Sequence, residues 1–305
     1  MAPAGFGAEP QGVDLWRFMM LGKVTVGLFF LLLVWGNLVA GMEAGLGCPD
    51  WPLCHGRVVP PLALDTYMEF LHRVIAAAAT VSLVLLSYNR FKVYRGKAKA
   101  VPVVAVGLVL IAVVLGGMVV LLGLPGRLIT VHFAIALSVF LLSYYMMHFD
   151  GVKNQPAFPA NGPALLFISL GAVVFFQAVL GAYVRHSEAG LACPDFPSCL
   201  GSLIPPVLGG KVLLHFTHRL LAYLIFLTMA ALFVVTITDG RMKKSQGGAL
   251  MLMFLVLGQI AVGAVVVRTG LYYVATALHL AVALAILTVL TWMWTGEARA
   301  EEARP

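Results

Sequence analysis

Of the eight histidines in this 305-residue chain, His72, His132, His218 and His279 stand at matching depths inside long apolar runs. An ionisable side chain within a membrane span is costly and normally faces a bundle interior with a partner or ligand, so each marks a candidate site. His72 and His218 fall about two turns, and His132 and His279 about one turn, from the same end of their runs, which puts all four at one depth. Taken singly, each reads as a core histidine bonded to a neighbouring helix. Four at one depth, as two pairs, read as ligands. Two neutral imidazoles facing each other across a four-helix bundle suit haem iron, each presenting one nitrogen to opposite faces of the macrocycle. A pair binding copper or a quinone is the competing reading, although copper sites usually recruit a third His, Cys or Met.

An arginine follows the first histidine of each pair at once, Arg73 and Arg219. A guanidinium at this depth is suited to a haem propionate, and snorkelling to the lipid headgroups is the alternative. The surrounding motifs differ at one position. The first reads Glu69-Phe-Leu-His72-Arg73 and the second His215-Phe-Thr-His218-Arg219. Residues three apart share a helix face, so Glu69 lies beside one pocket while an imidazole stands in its place at the other. A carboxylate beside one site alone points to a division of labour, with chemistry at one site and a held cofactor at the other.

Two cysteine pairs complete the inventory. Cys48 and Cys54 lie in one loop, Cys193 and Cys199 in another, and no zinc-like two-to-four-residue ligand spacing is present. In an oxidising compartment a disulfide in each loop is the natural reading, with free thiols and a catalytic dithiol as alternatives.

The elements that must carry these residues follow from composition. Hydrophobic residues make up 61% of the chain and charged ones 11%, where a soluble domain has about 45–50% and about 25%. This is a membrane protein. Eight apolar runs long enough to cross a bilayer fall near 18–40, 66–88, 101–122, 129–147, 163–184, 212–236, 248–267 and 271–294. The chain is therefore all-α, with eight transmembrane helices. The first run is too long for a cleaved signal, and the stretch before it, with Glu9 and Asp14 against Arg17, is unlike a transit peptide. The formal charge of +7 includes no basic stripe interleaved with aromatics, so nucleic acid is not expected as a partner. Instead it gathers at Arg90, Lys92, Arg95, Lys97, Lys99, Lys153, Arg241, Lys243 and Lys244. By the positive-inside rule those loops and both termini are cytoplasmic, and the loops at 41–65, 123–128, 185–211 and 268–270 face outward. Tyr88, Tyr144, Tyr145, Tyr272, Trp292 and Trp294 near span ends read as interfacial anchors.

The two long outer loops repeat each other. Glu43-Ala-Gly-Leu-Gly-Cys48-Pro-Asp-Trp-Pro-Leu-Cys54-His-Gly56 returns as Glu188-Ala-Gly-Leu-Ala-Cys193-Pro-Asp-Phe-Pro-Ser-Cys199-Leu-Gly201, at an offset of 145 residues. Each copy holds four spans, so both enter the membrane in the same direction. Two pseudo-symmetric parallel four-helix bundles, 1–150 and 151–305, are expected. A bis-histidine di-haem cytochrome, carrying electrons between quinol and an outer-face partner, is one function such a frame would serve. A transporter would instead put polar or broken segments near mid-membrane.

These residues resemble the haem A synthase family along nearly the full chain. The shared features are eight spans in two halves, the Gly-Leu-x-Cys-Pro-Asp-Trp-Pro-x-Cys-x-Gly loop, Glu-x-x-His-Arg in the second span, and single histidines in spans four, six and eight. The resemblance implies a bacterial inner-membrane oxidoreductase that converts the C8 methyl of haem O to a formyl group through a hydroxylated intermediate. It implies haem O between His72 and His132 with Glu69 at the reaction centre, and haem b as cofactor on His218 and His279. It also implies disulfides Cys48–Cys54 and Cys193–Cys199, and as partners a haem O synthase and an electron-transfer protein. Arg73, Arg219 and Arg185 are the propionate-binding candidates. The arginine usual in the family at the end of the first span has no counterpart in Asn37-Leu-Val-Ala-Gly-Met42, so only Arg185, from Tyr183-Val-Arg185, is carried over.

Overall fold

The computed structural model describes residues 15–302, apart from Lys153 and Asn161; Glu9 and Asp14 lie outside this range as well. Helices account for nearly all regular structure among the described residues. They are α1 (Leu15–Gly41), α2 (Leu64–Val93), α3 (Ala100–Leu121), α4 (Gly126–His148), α5 (Gly162–His186), α6 (Gly210–Thr238), α7 (Gln246–Arg268) and α8 (Tyr273–Glu302). All eight are long and apolar enough to cross a membrane. Most extend a few residues past the expected runs. α2 continues through Arg90 and Lys92, whose positive charges favour a helix C-terminus.

Helices α1 to α4 close on themselves through the pairs α1–α2, α2–α3, α3–α4 and α1–α4; α5 to α8 repeat that pattern, and the two sets meet through α1–α8, α4–α5 and α4–α8. One continuous core fills both sets, with Phe29, Leu83, Leu137 and Phe140 from the first and Met229, Leu252, Leu284 and Leu287 from the second. Within it the hydroxyls of Thr25 and Ser82 pair at 2.6 Å.

Glycines set the seam between the sets. Tyr273 at the start of α8 packs onto Gly41 at the end of α1, and His186 at the end of α5 packs onto Gly126 at the start of α4. By the repeat offsets Gly41 corresponds to His186 and Gly126 to Tyr273. Each contact therefore joins one bare position to one ring, in exchanged order. Asn37 Oδ1 accepts the Thr276 hydroxyl at 3.0 Å on the same seam.

At the end remote from the cysteine loops, Arg90 is fully buried and donates through Nε to Met146 O at 2.8 Å, while Tyr94 donates to Phe149 O. Tyr145 differs from the expected interfacial anchor. It is 4% exposed, donates to Ala157 O, and stacks on Phe158 and Trp294, whose Nε1 donates to Pro159 O. The α4–α5 connection folds back under the bundle and buries it. Tyr88, Tyr272 and Trp292 do remain exposed.

A Cβ at Gly126 would stand 2.1 Å from the His186 carbonyl oxygen, a backbone atom. Gly126→Ala should therefore destabilise the detergent-solubilised protein by about 1–3 kcal/mol, seen as a lowered melting temperature in circular dichroism. Gly27→Ala, with nothing within 4 Å, should leave the melting temperature unchanged.

Candidate functional site

The four intramembrane histidines lie on α2, α4, α6 and α8, and each ring rests on a glycine of the helix before it. The positions where a Cβ would sit on Gly36, Gly116, Gly181 and Gly263 are 2.9, 3.2, 2.9 and 3.1 Å from Cε1 of His72, His132, His218 and His279 respectively. Any side chain there would displace the ring. Gly116, Gly181 and Gly263 are legible in the sequence as close-packing glycines; their role as imidazole rests is not. The repeat carried the signal, because Gly36 returns as Gly181 and Gly116 as Gly263.

Each ring has one nitrogen shut in. Nδ1 of all four histidines is buried with no hydrogen-bond partner, whereas Nε2 is absent from the enclosed atoms and each residue keeps part of its surface accessible. Nε2 is thus the less enclosed nitrogen of each ring. His72 and His132 lie within electrostatic range of each other, as do His218 and His279, so each set of four helices holds one pair.

Arg73 and Arg219 make contacts that the sequence does not indicate. Arg73 donates from Nε to Glu69 Oε1 at 2.9 Å, from one terminal nitrogen to Asp50 O and Leu53 O at 2.7 and 2.6 Å, and from the other to Cys48 O at 2.8 Å. Arg219 repeats this with His215 Nε2 at 3.1 Å, Asp195 O and Ser198 O at 2.7 and 2.8 Å, and Cys193 O at 2.6 Å. Four of the five N–H donors of each guanidinium are thus committed, three of them to carbonyls of the cysteine loop. These arginines do not snorkel. They clamp the loops, and one N–H each is left for a further acceptor.

The loops themselves share one construction. Cys48–Cys54 and Cys193–Cys199 are disulfides. Asp50 accepts the backbone N–H of His55 and Gly56, and Asp195 those of Leu200 and Gly201. The Ser198 hydroxyl, aided by the Gly201 and Leu200 N–H groups, holds the Asp195 carboxyl down at about 2; the Gly56 N–H, with that of His55, lowers Asp50. Both carboxylates support the loops above the usual carboxylate range, and that support is lost only as pH falls through these lowered values. Trp51 reaches from its loop onto α3, against Gly117 beside the Gly116 rest of His132.

Arg185 stands at the seam. Its guanidinium reaches to Gly41 at the end of α1, and its NH1 is buried without a partner. Glu69, 6% exposed, is the one carboxylate found beside a histidine pair among the described residues, and His215 takes its place at the other.

Comparison with known proteins bears on this geometry. Residues 20–291 match the profile of the cytochrome oxidase assembly proteins, COX15-CtaA. The chain belongs to that family. It is 29% identical to the heme A synthase of Halalkalibacterium halodurans over 90% of this chain and 95% of that one. It is 29% identical to the heme A synthase of Alkalihalophilus pseudofirmus, over 88% and 93%, and 30% identical to that of Shouchella clausii, over 82% and 86%. An all-helical, multi-pass membrane enzyme of haem A biosynthesis is what these relatives and the eight spans together describe.

The clamp has a measurable consequence. Arg219→Gln removes donors to three loop carbonyls, each a charge-assisted bond, and should speed reduction of Cys193–Cys199 by a water-soluble phosphine by about tenfold or more. Alkylation followed by mass spectrometry reads this directly, with Cys48–Cys54 as the internal control.

Proposed function

We propose that the chain oxidises the C8 methyl of haem O to a formyl group, through an alcohol and then a geminal diol that loses water, at a site formed by α1 to α4. Residues 1–150 hold the substrate there and residues 151–305 hold a haem b cofactor. His72 and His132 would hold the substrate haem, and His218 and His279 would hold haem b. The Lys and Arg asymmetry between loops favours both termini in the cytoplasm and both disulfide loops on the outer face of a bacterial cell membrane.

The residues suit these groups. A bis-histidine haem needs Nε2 of each ring free and Nδ1 turned away, which is the disposition of all four rings. The backbones of Ala112 and Gln259 adjoin the rings of His132 and His279, where a carbonyl would be at hand to accept Nδ1–H once the ring held a metal. The orphaned NH1 of Arg185 is suited to a propionate, joined by the one uncommitted N–H of Arg73 and of Arg219.

The observation that carries the division of labour is the pair Glu69 and His215. Both perform the same structural task, accepting Nε–H of the clamping arginine. A neutral imidazole does this as well as a carboxylate, so the clamp does not account for the charge on Glu69. Chemistry does. Converting a methyl to a formyl group with one oxygen supplied as water releases four electrons and four protons. Haem iron supplies the redox chemistry when bound. Arg73 holds Oε1 of Glu69 in place, which leaves Oε2 to take a proton as the methyl carbon is oxidised, and its charge to stabilise the positive charge that develops there. The Trp51 ring and the clamped loop shield the pocket from bulk water. Haem O would come from a haem O synthase, and the haem held in the second half would pass electrons between the reaction centre and an electron-transfer partner.

Two measurements test this. When the protein is co-expressed with a haem O source, Glu69→Gln should still bind haem O while the yield of haem A and its hydroxylated precursor falls by about a hundredfold, as read by chromatography of extracted haems. Wild-type yield from this variant would remove Glu69 from catalysis. Gly181→Ala, which puts a Cβ 2.9 Å from the His218 ring, should lower the haem b retained per chain in the purified protein's absorption spectrum, and leave substrate haem in the first half.

A further inference from the structure

The two halves differ in a second layer that neither the histidines nor the loops explain. One turn beyond the rings, away from the disulfide loops, α5, α6 and α7 carry Gln177, Tyr223 and Gln259. Gln177 Oε1, the Tyr223 hydroxyl and Gln259 Oε1 are all buried without a hydrogen-bond partner. Gln177 is anchored beside the site by its Nε2, which donates to His218 O at 2.8 Å, and the backbone of Gln259 adjoins the His279 ring. The repeat offsets that match Gly36 with Gly181, His72 with His218 and Gly116 with Gly263 assign the first-half counterparts as Leu32, Ala77 and Ala112. On the fourth helix of each half the layer is alanine in both, Ala136 and Ala283. Polar groups in one floor, hydrocarbon and small side chains in the other: the contrast covers three helices.

Resting on the reading that the two halves hold haem O and haem b, we infer that this layer sorts the two haems. They differ in one large feature. Haem O carries a long isoprenoid hydrocarbon chain on the edge of the macrocycle opposite the propionates, where haem b has only a vinyl group. With the propionates toward the arginines at the loop end, that edge faces the layer below the histidines. In the first half the chain meets Leu32, Ala77 and Ala112, which have no polar side-chain atom to strand and leave room for it. In the second half three unpartnered polar atoms require water or another donor, and the vinyl edge of haem b leaves space for such water. An isoprenoid chain would displace that water and bury the three groups against hydrocarbon, so the second site rejects it. Rejection by stranded polar groups discriminates more strongly than a difference in apolar contact area.

The test is haem composition per purified chain, measured by extraction and chromatography after expression with a haem O source. With His72→Ala and His132→Ala both present, any isoprenoid haem retained is in the second half. That parent should hold haem b alone. Adding Gln177→Leu and Gln259→Ala should raise its isoprenoid haem by about tenfold or more. In the otherwise native chain, Ala112→Gln should lower isoprenoid haem by about tenfold while haem b per chain stays constant, which also reports that the protein has folded. Isoprenoid haem at the parent level after the two glutamine replacements overturns the sorting role, whatever the Ala112→Gln chain shows. Failure of the functional reading is distinct and is seen before any variant is made: the native chain would then carry haem b in both halves and no isoprenoid haem.

Discussion

An imidazole whose Cε1 edge rests on a glycine of the preceding helix sets how closely the two helices of each consecutive pair approach. Gly36 receives His72, Gly116 receives His132, Gly181 receives His218 and Gly263 receives His279, so the contact falls within consecutive helix pairs each time. A Cβ on the receiving helix would force the pair apart or turn the ring. With glycine there, Nδ1 is enclosed against protein, and Nε2 is the less enclosed nitrogen. Packing two such helix pairs together brings two candidate ligands into one bundle. The orientation of the candidate ligands is thus a local property of each hairpin. The bundle has only to bring the hairpins together.

The arginine clamp adds the long-range part. In hydrocarbon an unpartnered guanidinium is prohibitively costly, and the four donors used by Arg73 and by Arg219 are met by groups about twenty residues earlier in the chain and one turn away on the same helix. The clamp binds each disulfide loop down onto the residue next to a candidate ligand. The disulfide, the aspartate that gathers two backbone N–H groups and the arginine form one unit in each half. Loss of any of these members would free a loop whose aromatic residue, Trp51 in the first copy, lies over the helix that supports His132.

The eight spans were legible because hydrocarbon thickness dictates the length of an apolar run, and the duplication because it preserved spacing in a motif with few alternatives. The helix ends were less so: α2 and α8 extend into charged turns that hydropathy alone excludes. The four histidines and Glu69 stand out as candidate site residues from depth and repetition. The role of Arg73 and Arg219 does not, since their acceptors are backbone carbonyls, which no sequence pattern marks. Tyr145 was misplaced for a related reason. Its burial depends on a connection that returns beneath the bundle, and an apolar run says nothing about where the following loop goes.

Comparison of the copies separates substitutions that preserve packing from those that do not. Where Gly41 faces Tyr273, the other copy sets His186 against Gly126; where Trp51 lies on Gly117, the second copy has Phe196 and Ala264 at the equivalent positions. In each case bulk gained on one side is matched by bulk lost on the other, as close packing demands. Glu69 against His215 has no such compensation, because the clamping arginine is unchanged, and neither do Leu32, Ala77 and Ala112 against Gln177, Tyr223 and Gln259. Packing did not require these exchanges, and three of the polar groups they introduce stand without partners in the second half. Uncompensated differences at positions around a shared frame are where two copies of one fold acquire separate tasks. Here they lie in two layers on either side of the histidines along the helices, one bearing a charge and the other a polarity.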